Sequence, residues 1–220
     1  MERIILDDIP FEVDEKGLAA LLRIQPGSRS SSELSKILQE ARLVASPKAA
    51  FAAASAHMIK EGTIEIGGIR FTSRLLCANL SNSGIAYPFA ATCGTELEEW
   101  SRTKGGMLHS FWADSIMLMA LGCAVTFLET CLKKRLGEGV SLSSMNPGSL
   151  ADWPLTEQAA LFSLLGDSAE AIGTRLTDKM VIHPLKSVSG IQFASARAFV
   201  NCSLCPRQGC PSRRAPYDAK

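Results

Sequence analysis

The stretch N-P-G-S-L-A-D-W-P-L-T-E-Q-A-A-L-F-S-L-L (residues 146–165), followed by I-G-T-R-L-T-D-K-M-V-I-H-P-L-K-S-V-S-G-I (residues 172–191), decides the fold. Thr156 and Glu157 open a helix that the apolar spacing carries to about Leu165, and a short helix is expected over 168–173. The β-rich runs K-M-V-I-H and S-V-S-G-I-Q-F are expected to pair with each other. The segment 141–154 is expected to be a loop, too long and too rich in turn residues for a simple connector. It either lines a ligand or caps a helix. In the first case Asn146 and Asp152 supply hydrogen bonds, Gly148 permits close approach and Trp153 stacks on a ring; in the second Trp153 is anchored in the core.

Upstream, R-I-I-L and P-F-E-V read as one or two short strands, and Asp14 is placed to cap a helix through Leu22. Ser30, Ser31 and Ser32 offer caps for a helix over 33–44. Pro47 starts a second, alanine-rich helix over 48–60. T-I-E-I-G-G-I-R-F is a hairpin turning at Gly67 and Gly68, with Ile64, Ile66, Ile69 and Phe71 as its apolar set. Ser73 caps a short helix to Leu80, G-I-A-Y-P-F-A-A-T-C-G is a buried strand, and Thr95 opens a helix to about Thr103. A long helix over 107–136 ends at Gly137, as helices often end on glycine. Helices and strands do not alternate regularly, so the expected class is α+β, not a doubly wound parallel sheet. We expect one globular unit, 1–200, with 1–72 as a helical and hairpin part and 73–200 as its core. A cysteine-rich tail, 201–220, follows.

The 220 residues carry 23 Lys+Arg against 22 Asp+Glu, so no overall field gathers nucleic acid or an anionic membrane. The start, M-E-R-I-I-L-D-D, lacks the pattern of a secretory signal, and a cytoplasmic location is expected. The apolar run 111–128 has about the length of a membrane span but carries Asp114 and ends in Lys133, Lys134 and Arg135. It is expected to be a central buried helix, with no membrane partner.

Of the seven cysteines, Cys77, Cys93, Cys123 and Cys131 are scattered in apolar surroundings and read as small core residues. Cys202, Cys205 and Cys210 form C-x2-C-x4-C. Thiolates at such spacing ligate zinc or an iron–sulfur cluster, although only three ligands are visible. A reduced tail that binds nothing is the alternative. Arg207, Arg213 and Arg214 beside them either lower the thiolate pKa values, dock an acidic partner, or are merely solvated. No metal-binding histidine pair, serine nucleophile elbow or carboxylate pair stands out, so a hydrolase has no support.

Residues 145–193 resemble the C-terminal activation domain of cobalamin-dependent methionine synthase, with its P-G-Y loop, helix, G-x-x-L-T-x-S-like segment and P-x-x-S-V-S-G strand. Residues 73–136 follow the expected order more loosely. The resemblance implies a curved, mostly antiparallel sheet with flanking helices. It also implies a role in reductive reactivation, in which a cobalt(II) corrinoid receives an electron and is trapped by methylation from S-adenosylmethionine. It places Met145, Asn146, Pro147, Gly148 and Ser149 with Lys186, Ser187, Ser189 and Gly190 along a ligand cleft. The family's R-x-x-x-G-Y, however, reads S-M-N-P-G-S here, with Ser144 and Ser149 replacing the arginine and the tyrosine. Serine cannot supply the two-pronged cation that pairs with a carboxylate, so S-adenosylmethionine binding is not carried over. The corrinoid-ligating D-x-H-x-x-G motif is absent from the sequence, so any corrinoid belongs to a partner, either a corrinoid protein or a cobalamin-dependent methyltransferase. The tail resembles the ending of stand-alone relatives, which implies electron entry through an iron–sulfur cluster on Cys202, Cys205 and Cys210. The alternative is a non-catalytic module that binds a corrinoid protein or a nucleoside-like ligand, its tail stapled by zinc.

Overall fold

Strand β2 (Lys48–Lys60) is the spine of the molecule. In the computed structural model, which describes residues 1–80, 84–137, 139–195, 199, 201–210, 213 and 215–218, one edge of β2 pairs with β1 (Glu2–Leu6) and then β3 (Thr63–Ile66). Its other edge pairs with β5 (Ile85–Thr92). The sheet runs β4 (Ile69–Thr72), β3, β2, β5, β9 (Ser187–Ser195), β6 (Ser141–Met145), with β1 beside β2, and every pairing is antiparallel. The helices are α1 (Glu15–Leu21), α2 (Arg29–Val44), α3 (Arg74–Leu80), α4 (Thr95–Arg102), α5 (Met107–Leu136), α6 (Gln158–Leu165) and α7 (Asp167–Ala171). This is an α+β architecture with an open antiparallel sheet, as the sequence predicts.

The strand at 48–60 corrects the expected alanine-rich helix. Helix propensity separates ordinary residues by at most about 0.7 kcal/mol each, a weak preference that tertiary burial overrides. Here residues 49–54 of β2 are covered on both faces. Ala49 and Phe51 join Tyr87, Phe89 and Ala91 under α5, against Ala124, Leu128 and Leu132. On the opposite face Ala50 and Ala90 meet Leu165, Ala169 and Ile172, and Ala54 and Ala86 join a cluster with Leu76, Trp153, Leu161 and Leu164. Alanine side chains let helices approach the sheet closely from either side.

Other differences have similar causes. Residues 141–145 form β6, not loop, because β9 pairs with them from Ser141↔Ser195 to Met145↔Ile191. The run around His183 does not pair with β9. Instead β8 (Ile182–His183) pairs with β7 (Arg175–Leu176) in a separate small sheet, while β9 is taken up between β5 and β6. P-F-E-V is not a strand. Helix α2 starts earlier than expected, with Ser28 as its cap, whose hydroxyl accepts from the Ser31 amide at 3.2 Å.

Helix α5 is long and apolar enough to cross a membrane by length and composition, yet it lies along the sheet. Its first half also packs Trp112, Ile116 and Ala120 against Leu18, Leu34, Leu38 and Leu97 from α1, α2 and α4. The expectation of a buried central helix holds for one face only, since Met107, Phe111 and Leu118 are exposed on the other.

Candidate functional site

The residues expected to line a cleft gather on two adjoining elements, the end of β6 with its following turn and the start of β9. Met145 pairs with Ile191, which brings Gly190 directly beneath the turn. A Cβ at Gly190 would lie 2.5 Å from the Met145 carbonyl oxygen, 2.6 Å from Asn146 Nδ2 and 2.9 Å from a Phe89 ring carbon. Glycine in a strand interior often marks such a close approach. The room it leaves is filled by Asn146, whose Nδ2 donates to the Ser189 carbonyl at 2.8 Å.

Of the two readings open for this segment, anchoring describes what most of its side chains do. Trp153 is fully buried, edge-on to Phe71 with ring centroids 6.2 Å apart. The Asp152 carboxylate caps α3, accepting from the Ser73 hydroxyl and from the amides of Arg74 (3.2 Å) and Leu75 (3.0 Å). The Gly148 amide donates to the Trp153 carbonyl at 2.8 Å and closes the turn. Met145 and Pro147 are buried, whereas Gly148 and Ser149 are exposed.

The β9 residues are similarly committed. Ser189 is 3% exposed and its hydroxyl donates to Gln158 Oε1 at 3.2 Å, while Gln158 Nε2 donates to the Met180 carbonyl at 2.6 Å. The Ser187 hydroxyl lies 2.7 Å from the Pro184 carbonyl oxygen and 2.9 Å from Thr92 Oγ1. Lys186 is half-buried and pairs with Asp114 of α5 at 2.9 Å. Sequence spacing marks neither Asp114 nor Glu98 as a site residue. Glu98, largely buried, accepts from the Leu185 amide at 2.7 Å through one oxygen and pairs with Arg102 at 2.9 Å through the other. The neighbouring Cys93 thiol is fully buried. Burial, and then the negative charge of Glu98, push its pKa from 9.0 up to about 12.

The tail meets the turn. Asn201 begins a single 3-10 turn, Asn201–Ser203, and its Nδ2 donates to Asn146 Oδ1 at 3.2 Å. Its own Oδ1 is buried without a hydrogen-bond partner among the described residues, as is Gln192 Oε1 on β9. Nothing in the sequence spacing signals the Asn201 contact.

Beyond Asn201, the Arg213 guanidinium donates to the carbonyls of Cys202 (2.7 Å), Cys205 (2.9 Å), Arg207 and Ala215 (3.1 Å). This side chain therefore organises the loop through its backbone. Arg207 is exposed, and Arg214 lies outside the described residues. All seven cysteines are thiols, with Cys202, Cys205 and Cys210 partly buried on the loop. Among the described residues, no three His, Cys, Asp or Glu side chains converge into a metal-holding group. The three thiols share one loop, and their chemistry suits a soft, thiophilic metal.

The described residues form an α+β fold in which Asn201 meets the turn that follows β6. No protein-family model and no curated protein sequence matches the chain. In three dimensions it is similar to a solved structure described as the MetH reactivation domain bound to AdoHcy, with a TM-score of 0.59 and 14% identity. The match covers 91% of this chain and 80% of that one. The two share a fold.

Proposed function

We propose that the protein acts in trans to restore a corrinoid-dependent methyltransferase, such as methionine synthase, to its reduced state. The reading is supported by the shared fold with the MetH reactivation domain. The observation that carries it is the Asn201–Asn146 contact, which joins the cysteine tail to the turn at the end of β6. In this reading Cys202, Cys205 and Cys210 hold an iron–sulfur cluster that takes one electron from a low-potential donor and passes it to the partner's cobalt(II), giving cobalt(I). In the same reading the exposed Gly148 and Ser149, with the half-buried Asn146, Lys186 and Ser187, form the face presented to the partner and its ligand, and the buried Met145, Pro147, Ser189 and Gly190 support it from beneath.

The internal commitments of Asn146, Asp152 and Ser189 favour a second reading, a non-catalytic binding module for a corrinoid protein or a nucleoside-like ligand with zinc in the tail. Iron, acid-labile sulfide and zinc content of protein purified without oxygen, compared with a Cys205→Ala variant, separates the two. Iron and sulfide that disappear in the variant support the redox reading, and stoichiometric zinc supports the binding module. A deletion strain with unchanged corrinoid-protein reactivation removes the reactivation reading.

A further inference from the structure

The first two helices flank an open cavity remote in sequence from the turn after β6. It has a volume of about 640 Å³ and lies where the segment joining α1 to α2 crosses between them. Small-ligand pockets are typically in the range of roughly 300–1,000 Å³. Ala19, Ile24 and Leu34 give it an apolar lining, and Glu15, Lys16 and Arg23 supply its charges. The Glu15 carboxylate accepts from the Ser35 hydroxyl of α2. Among the described residues, neither Lys16 nor Arg23 has a side-chain ion pair.

Arg23 also stands in an unusual backbone position. Its φ is +56°, and the amides of Arg23 and Ile24 donate to the carbonyls of Ala20 (3.0 Å) and Ala19 (2.9 Å). This is the helix-ending pattern whose left-handed residue is usually glycine, because a Cβ there is strained. Here that residue is instead an exposed arginine at the cavity's edge.

We propose that this cavity binds a small amphiphilic carboxylate, its apolar body on Ala19, Ile24 and Leu34 and its carboxylate on Arg23 and Lys16. The guanidinium fork matches the two oxygens of a carboxylate, and the apolar lining rewards a hydrocarbon body. The strained backbone at Arg23 gives an unusually selective test, because glycine relieves the strain while deleting the ligand's partner.

The full-length protein is titrated calorimetrically with decanoate and with decyltrimethylammonium, below their micellar concentrations. One saturable decanoate site is expected, with the cationic amphiphile weaker by about tenfold or more, the scale of one charge-assisted contact. Arg23→Gly is expected to weaken decanoate by about tenfold while its melting temperature holds or rises. Lys16→Gln, an exposed change that leaves the backbone alone, is expected to weaken it severalfold. The proposal is overturned if decanoate shows no saturable binding, if both amphiphiles bind alike, or if Arg23→Gly and Lys16→Gln bind decanoate as the parent does.

Discussion

The side chain of Asn201 donates to Asn146 at 3.2 Å, and Asn146 in turn donates to the Ser189 carbonyl at 2.8 Å. Two asparagines 55 positions apart thus connect the cysteine tail, the end of β6 and the start of β9. Each amide is the other's local partner, so loss of either is felt by both.

Asn146→Ala leaves the Ser189 carbonyl and the Asn201 amide buried without their partner. An unsatisfied buried group costs about 1–3 kcal/mol, and that loss of stability is expected in urea unfolding. Asn201→Ala in the Asn146→Ala background should add less than it does alone, a non-additivity that a double-mutant cycle reads directly. Fully additive losses would mean that the two side chains act separately.

Gly190→Ala forces a methyl group against the Met145 carbonyl and the Asn146 amide. Overpacking typically costs about 1–3 kcal/mol, and a rigid backbone neighbour places this change toward the upper end. A melting temperature equal to that of the parent would show that the turn shifts freely away from β9.

The Cys93 thiol predicts an alkaline limit to stability. Below about pH 9 it is protonated whether the chain is folded or not, and it contributes no slope. Between 9.0 and about 12 the unfolded chain loses the proton while the folded chain keeps it, so stability falls as pH rises. The slope from this group approaches about 1.4 kcal/mol per pH unit in that window. Cys93→Ala should make the stability profile flatter between pH 9.5 and 11 by about that amount, even if its stability at pH 7 is lower.

Removing the Arg213 guanidinium releases four backbone carbonyls at once. Arg213→Ala should therefore speed trypsin cleavage after Arg207 severalfold in metal-free protein. Arg213→Lys should restore little of the protection, because a single ammonium cannot span the fork. Cleavage at the parent rate would mean that the loop is held by other contacts.

Much of the fold was legible where local and tertiary signals agree. Gly67 and Gly68 mark the β3–β4 hairpin, and the apolar run to Gly137 marks α5, because turn chemistry and periodicity act within a few residues. The alanines of β2 misled because their local preference is slight and their burial is set by helices from distant parts of the chain. S-L-S-S-M at β6 has no strand signature of its own and is extended because β9 pairs with it. Of the candidate site, the segments around Gly148 and Gly190, which the resemblance places together, do adjoin through the pairing of Met145 with Ile191. The partners of those segments, Asp152 with α3, Asp114 with Lys186 and Asn201 with Asn146, are joined only by the folded topology.

The placement of β9 also orders events during synthesis. This late strand is inserted between β5 and β6, pairing Tyr87 with Gln192. Until residues 187–195 have left the ribosome, β5 presents an unpaired edge and β6 has no neighbour in the sheet. Such edges invite wrong pairing between chains. A chain interrupted before β9 is therefore a candidate for chaperones and proteases, and the cysteine tail emerges only as the sheet becomes able to close.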